Sequence, residues 1–110
     1  KELWYHLIHG QKSQSEGAYA NFYTHGNHCG DAYAQSEKAA IQDGLLNPML
    51  VETCRLDNLE EFKLPDDVIE VTPGVFMKSS VYTYPIKPNE SSFIPPVGIA
   101  FGTDEGEFLN

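Results

Sequence analysis

All four histidines (His6, His9, His25 and His28) fall within the first 28 residues, and Cys29 follows the last of them. Imidazole nitrogens and a thiolate are zinc donors, and a Cys–His pair is the minimum of a nucleophilic site. Spacing divides the cluster. His6 and His9 are three apart on what reads as a strand, where successive side chains alternate faces, so they share a metal only across a bulge. His25, His28 and Cys29 lie in a turn and are free to converge. Cys29 also precedes a helix start, where a thiol pKa falls, with His25 or His28 at hand as base. A thiol nucleophile further needs an orienting third group and an oxyanion site, and no motif supplies them. The expectation is of no catalytic residue, no metal and no cofactor, with an enzyme centred on His25, His28 and Cys29 as an alternative.

Carboxylates form a second cluster at Asp57, Glu60, Glu61, Asp66, Asp67 and Glu70, and a third at Asp104, Glu105 and Glu107. Paired acids do glycosidase or metal chemistry. These sit instead in turn and helix-start contexts, which favour Asp and Glu on their own account. The chain has no Gly-x-Gly-x-x-Gly, P-loop, Gly-x-Ser-x-Gly or His-Glu-x-x-His pattern.

Sixteen acids against seven bases give a formal charge of −9. That sign opposes binding to a nucleic-acid backbone or an anionic membrane. It suits either plain solubility or a basic protein partner drawn in by the field. The apolar runs are too short to span a bilayer, and the opening residues show no charged-then-apolar leader. Two widely spaced cysteines, Cys29 and Cys54, read as free thiols in a reducing compartment.

The elements that position these groups follow from hydrophobic pattern and punctuation. At 110 residues, 41% hydrophobic, the chain is sized for a single domain spanning 1–110. Leu3 to His9 reads as a central strand, Gln11 to Gly17 as a polar loop longer than a tight turn, and Ala18 to His25 as an antiparallel second strand. Pairing their ends sets His6 across from Phe22. A helix over about 31–43 follows, with Ala32, Tyr33, Ser36, Ala39 and Ala40 on one face and Asp31 at its start. Gly44 and Leu45 predict a Schellman ending, with Pro48 beyond. Met49 to Leu56 is a third strand. Asn58 to Glu61 is a capping-box pattern for a turn or two of helix before Pro65. Val68 to Val71 is apolar apart from Glu70, and Thr72-Pro73-Gly74-Val75 predicts a type II turn. Val75 to Lys78 and Val81 to Tyr84 are short strands or one bent strand. From Pro85 the chain is Pro-rich and irregular, with a last strand at Val97 to Phe101.

The sum is an α+β fold: an antiparallel-rich sheet, one main helix on one face, and a Pro-rich C-terminal segment. The opposite face is left for solvent, for the C-terminal segment or for binding, with Tyr5, Tyr19, Tyr23, Tyr82 and Tyr84 as candidates to lie there.

In size, acidity and the hairpin–helix–strand stretch Leu3 to Leu56, the chain resembles the immunity proteins that bacteria pair with polymorphic or contact-delivered toxins. Ala18-Tyr-Ala-Asn-Phe-Tyr-Thr and Ala39-Ala-Ile-Gln-Asp-Gly stand at the centre of that stretch. The resemblance implies a cytoplasmic, non-catalytic inhibitor that covers a toxin, a basic nuclease being one such partner. On that reading Asp57, Glu60, Glu61, Asp66 and Asp67 steer the encounter, and Tyr82 and Tyr84 anchor it. A homo-oligomeric module that buries the bare sheet face against its own copy is the rival from another class.

Overall fold

Long strands with one apolar face set the architecture, and the structure, a computed structural model, describes them over residues 1–87. The Pro-rich segment after Lys87 and the strand expected at Val97–Phe101 lie outside the described residues. The elements are β1 (Glu2–Ser13), β2 (Glu16–Gly26), α1 (Cys29–Gln42), β3 (Leu46–Arg55), β4 (Val68–Thr72), β5 (Val75–Lys78) and β6 (Tyr82–Pro85). The strands form one antiparallel sheet in the order β3-β1-β2-β5-β4, with β6 also paired to β2. This is the α+β arrangement expected, with one helix packed on the sheet.

Period-2 alternation sorts the side chains. His6 stands opposite Phe22 and Ile8 opposite Ala20, as the hairpin pairing predicts, and Phe22 stands opposite Met77. These residues face α1 and, with Ala18, Ala39, Ala40, Leu45 and Val75, include the core. The helix offers a small face there: Ala32, Ser36, Ala39 and Ala40 are its buried residues. Small side chains let its axis lie close, so a Cβ on Gly26 would come within 2.7 Å of the Ala32 nitrogen.

Both ends of α1 are bonded shut. His28, rather than Asp31, is the N-cap: its Nδ1 accepts from the Asp31 amide, while the Asp31 carboxylate accepts from the Asn27 amide at 2.7 Å. The C-terminus is the Schellman ending expected. Leu45 N–H donates to Ala40 O and Gly44 N–H to Ile41 O, with Gly44 at φ +96°.

Beneath the helix runs a buried polar chain. Ser36 Oγ donates to the Ala32 carbonyl at 3.0 Å, which uses its only proton. It therefore accepts from Thr24 Oγ1 at 2.7 Å and from His6 Nδ1 at 3.2 Å. His6 thus carries a proton on Nδ1 and has no exposure, and its Nε2 has no partner among the described residues. Burial pushes its pKa down.

Two local expectations fail for physical reasons. The β1–β2 connection is a two-residue turn at Gln14–Ser15, not a longer loop. The strands run on through polar residues to Ser13 and from Glu16, and the Ser15 amide donates to Ser13 Oγ. Asn58–Glu61 opens no helix. Leu59 N–H donates to Leu56 O and Phe62 N–H to Leu59 O as separate turns, and Glu61 sits at φ +65°. The Pro73–Gly74 turn does close the β4–β5 hairpin, with Gly74 at φ +81°.

Phe22→Ala is expected to cost about 3–5 kcal/mol in urea unfolding, the range for emptying a buried phenyl site. Stability should also depend on pH through the buried imidazoles. The unfolded chain gains protons as pH falls through about 6.5, whereas folded His6 resists protonation. The unfolding midpoint should therefore be level above that pH and decline below it, and His6→Gln should shallow the decline. A midpoint that stays flat from neutral to mildly acid pH would count against it.

Candidate binding face

The face of the sheet away from α1 carries an unusual load of rings. Cross-strand pairing places Tyr5 opposite Tyr23, His9 opposite Tyr19, Tyr23 opposite Phe76, Tyr19 opposite Tyr82, and Gly17 opposite Tyr84. All five tyrosines expected on the bare face are on it. They divide into two groups along the sheet.

At the hairpin end, His9, Tyr19, Tyr82 and Tyr84 touch one another. Centroids are 4.8 Å apart for His9–Tyr19, 5.9 Å for Tyr19–Tyr84 and 6.3 Å for Tyr82–Tyr84. The Tyr84 hydroxyl shares a short hydrogen bond with His9 Nε2. Burial pushes the His9 pKa down. Gly17 makes this possible, because a Cβ there would occupy the position of the Tyr84 ring. Tyr82 remains 65% exposed.

Toward the other end, Tyr5 and Tyr23 lie 5.4 Å apart, and Phe62 stacks over Tyr23 at 6.4 Å and 26°. Tyr5 Oη donates to Asn21 Oδ1 at 2.6 Å. Burial raises the Tyr5 pKa, with Glu52 and Tyr23 adding to it, and burial followed by Asp67 raises that of Tyr23. Carboxylates therefore stand on both sides of this pair.

The acidic stretch is the connection that crosses from β3, on one edge, to β4, on the other. Leu56 N–H donates to Leu3 O at 2.8 Å, anchoring the start of the crossing at the end of β1. Not all five acids assigned to a partner are equally free. Asp57 accepts from Arg55 at 2.8 Å and from the Leu3 amide at 3.2 Å, and these bonds, Arg55 first, hold its carboxyl far below the usual range. Asp67 pairs with Lys78 at 3.9 Å. Glu60, Glu61 and Asp66 are exposed and make no ion pair among the described residues. The acidic connection thus starts at the Leu3 end of the sheet and finishes at Asp67, whose carbonyl accepts from Ser79 N–H at 2.7 Å, shortly before β6 begins at Tyr82. Tyr5, Tyr23 and Glu52 lie on β1, β2 and the edge strand β3. No motif marks Glu52 in the sequence; only its place opposite Leu7 brings it to this face.

The histidine–cysteine cluster does not converge. His25 turns to the open face against Phe76, His28 is spent on capping α1, and Cys29 Sγ lies 3.8 Å from Thr53 Oγ1. Among the described residues no three His, Cys, Asp or Glu side chains are grouped to hold a metal ion. Cys54, opposite Tyr5 on the open face, is separated by the sheet from Cys29, and both thiols are free.

No helix among the described residues is long and apolar enough to cross a membrane. No family model matches the chain, and no curated protein or solved structure matches it either.

Gly17→Ala should drive Tyr84 off His9. With that cover gone the His9 pKa rises toward the ordinary value of about 6.5. An NMR titration of the imidazole protons reads the change, and an unmoved His9 titration would contradict the packing described.

Proposed function

We propose that the protein is a non-catalytic binding domain that inhibits a basic toxin domain in the bacterial cytoplasm, using the open face of its sheet. One observation carries the reading. Two aromatic groups lie on that face, one of them with Tyr82 65% exposed, and the unpaired carboxylates Glu60, Glu61 and Asp66 belong to the connection whose Phe62 stacks on Tyr23. Tyrosines give large contact area at low entropic cost and are enriched where binding energy concentrates. Charge distribution supports the same reading. Asp57, Glu60, Glu61, Asp66, Asp67 and Glu70 fall within fourteen residues that contain one base, Lys63. A patch of that sign steers a basic partner and repels nucleic acid.

Tyr82 and the pair Glu60 and Glu61 have separate roles in this scheme. The ring anchors the bound state, whereas the exposed acids act on the approach. The tagged chain, used as bait in extract of its native host and in co-expression with the product of the neighbouring gene, should recover a basic partner and suppress its toxicity. Tyr82→Ala should raise the dissociation rate of that complex. Glu60→Lys with Glu61→Lys should lower the association rate, most strongly at low salt. Recovery of free monomer or self-oligomer alone would refute the inhibitor reading.

A further inference from the structure

The centre of the open face has the chemistry of a receptor for one kind of side chain. Tyr5 and Tyr23 lie side by side with centroids 5.4 Å apart and planes 44° apart, and Phe62 stacks over Tyr23. The Tyr5–Asn21 hydrogen bond holds the first ring in place. Glu52 stands opposite Leu7 on β3, one diagonal step from Tyr5 on the same face. It is exposed, with neither an ion pair nor a hydrogen bond among the described residues. Lys78, on β5, is already engaged by Asp67.

Ring faces carry negative potential, and an adjacent unpaired carboxylate adds to it, so the occupant is a cation. Its shape follows from the platform. A ring face suits a planar group that stacks, and a lone carboxylate one diagonal step away suits a donor that forks. Guanidinium has both properties and sheds water more readily than an ammonium.

We propose that the Tyr5–Tyr23 pair receives an arginine side chain of the partner, its guanidinium stacked on Tyr5 with Tyr23 alongside and paired with Glu52. This rests on the open face being the binding surface and specifies what that surface recognises. Arginine is abundant on basic proteins and is enriched at the centres of interfaces, where a desolvated ring contact gains most.

The test is an NMR titration of the full chain with three probes: N-acetyl-arginine amide, N-acetyl-lysine amide and N-acetyl-citrulline amide. The arginine probe should give saturable shifts centred on the Tyr5 and Tyr23 rings, and tighter binding than the other two. Glu52→Gln should weaken it about fivefold, the loss of one exposed charge-assisted contact, and leave the remaining spectrum unchanged. Tyr5→Leu should remove the ring-centred shifts, with retained Trp4 fluorescence and NMR dispersion showing that the fold persists. Equal responses to arginine and citrulline, or shifts scattered over every acid, would overturn the site. A recovered partner whose affinity ignores Glu52→Gln would also overturn it while leaving the inhibitor reading intact. Selective arginine binding without any partner in host extract would support the site and count against that reading.

Discussion

The close seat of α1 on the β1–β2 hairpin is the constraint from which the remaining structure follows. Ala32, Ser36, Ala39 and Ala40 bring helix backbone almost onto the strands, and Gly26 supplies the clearance where the chain turns into the helix. Such a seat leaves no room for large residues from both sides. Bulk therefore comes from the sheet, chiefly Phe22 and Ile8, which are wholly buried. The polar chain Thr24–Ser36–His6 fixes the position of the helix more tightly than apolar contact alone, since a sliding helix would strand three buried groups without partners.

With the core confined to one side, the rings on the other side must manage their own hydration. They do so by leaning on each other. Tyr19 touches His9, Tyr82 and Tyr84, while Tyr23 bridges Tyr5 and Phe62. Each ring is shielded in part and retains an open surface. That arrangement is stable without a partner and still has apolar area to give to one. The β3–β4 connection fits the same division, because its Leu56 is buried at the end of β1 while its acids project outward.

Much of this was legible in the sequence, and the exceptions share a cause. The helix was readable from both ends because its signals are local: small residues at helical spacing, Gly44 and Leu45 for the stop. Pairing of His6 with Phe22 and the Pro73–Gly74 turn were equally local matters. The long reach of β1 and β2 was not, since Gln11 to Gly17 has loop composition and is held extended by ladder bonds across the hairpin. At Asn58 the capping pattern loses to tertiary packing, with Phe62 drawn onto Tyr23 and Glu61 in a left-handed conformation. The open face was foreseen as a surplus of tyrosines. Which carboxylates border it depends on strand order and register, and the place of Glu52 cannot be read from composition.

The outer side of β2 is completed by two strands in tandem rather than one. β5 bonds to Phe22–Thr24 and β6 to Glu16–Tyr19, with Ala20 and Asn21 at the joint between them. A ladder broken in this way has two cooperative units. The β5 half is fastened to β4 and the core, whereas the β6 half pairs with β2 and is tied further through Tyr84 to His9. Because Tyr82 and Tyr84 ride on β6 and Phe76 on β5, the two ends of the aromatic surface are seated on separate ladder segments.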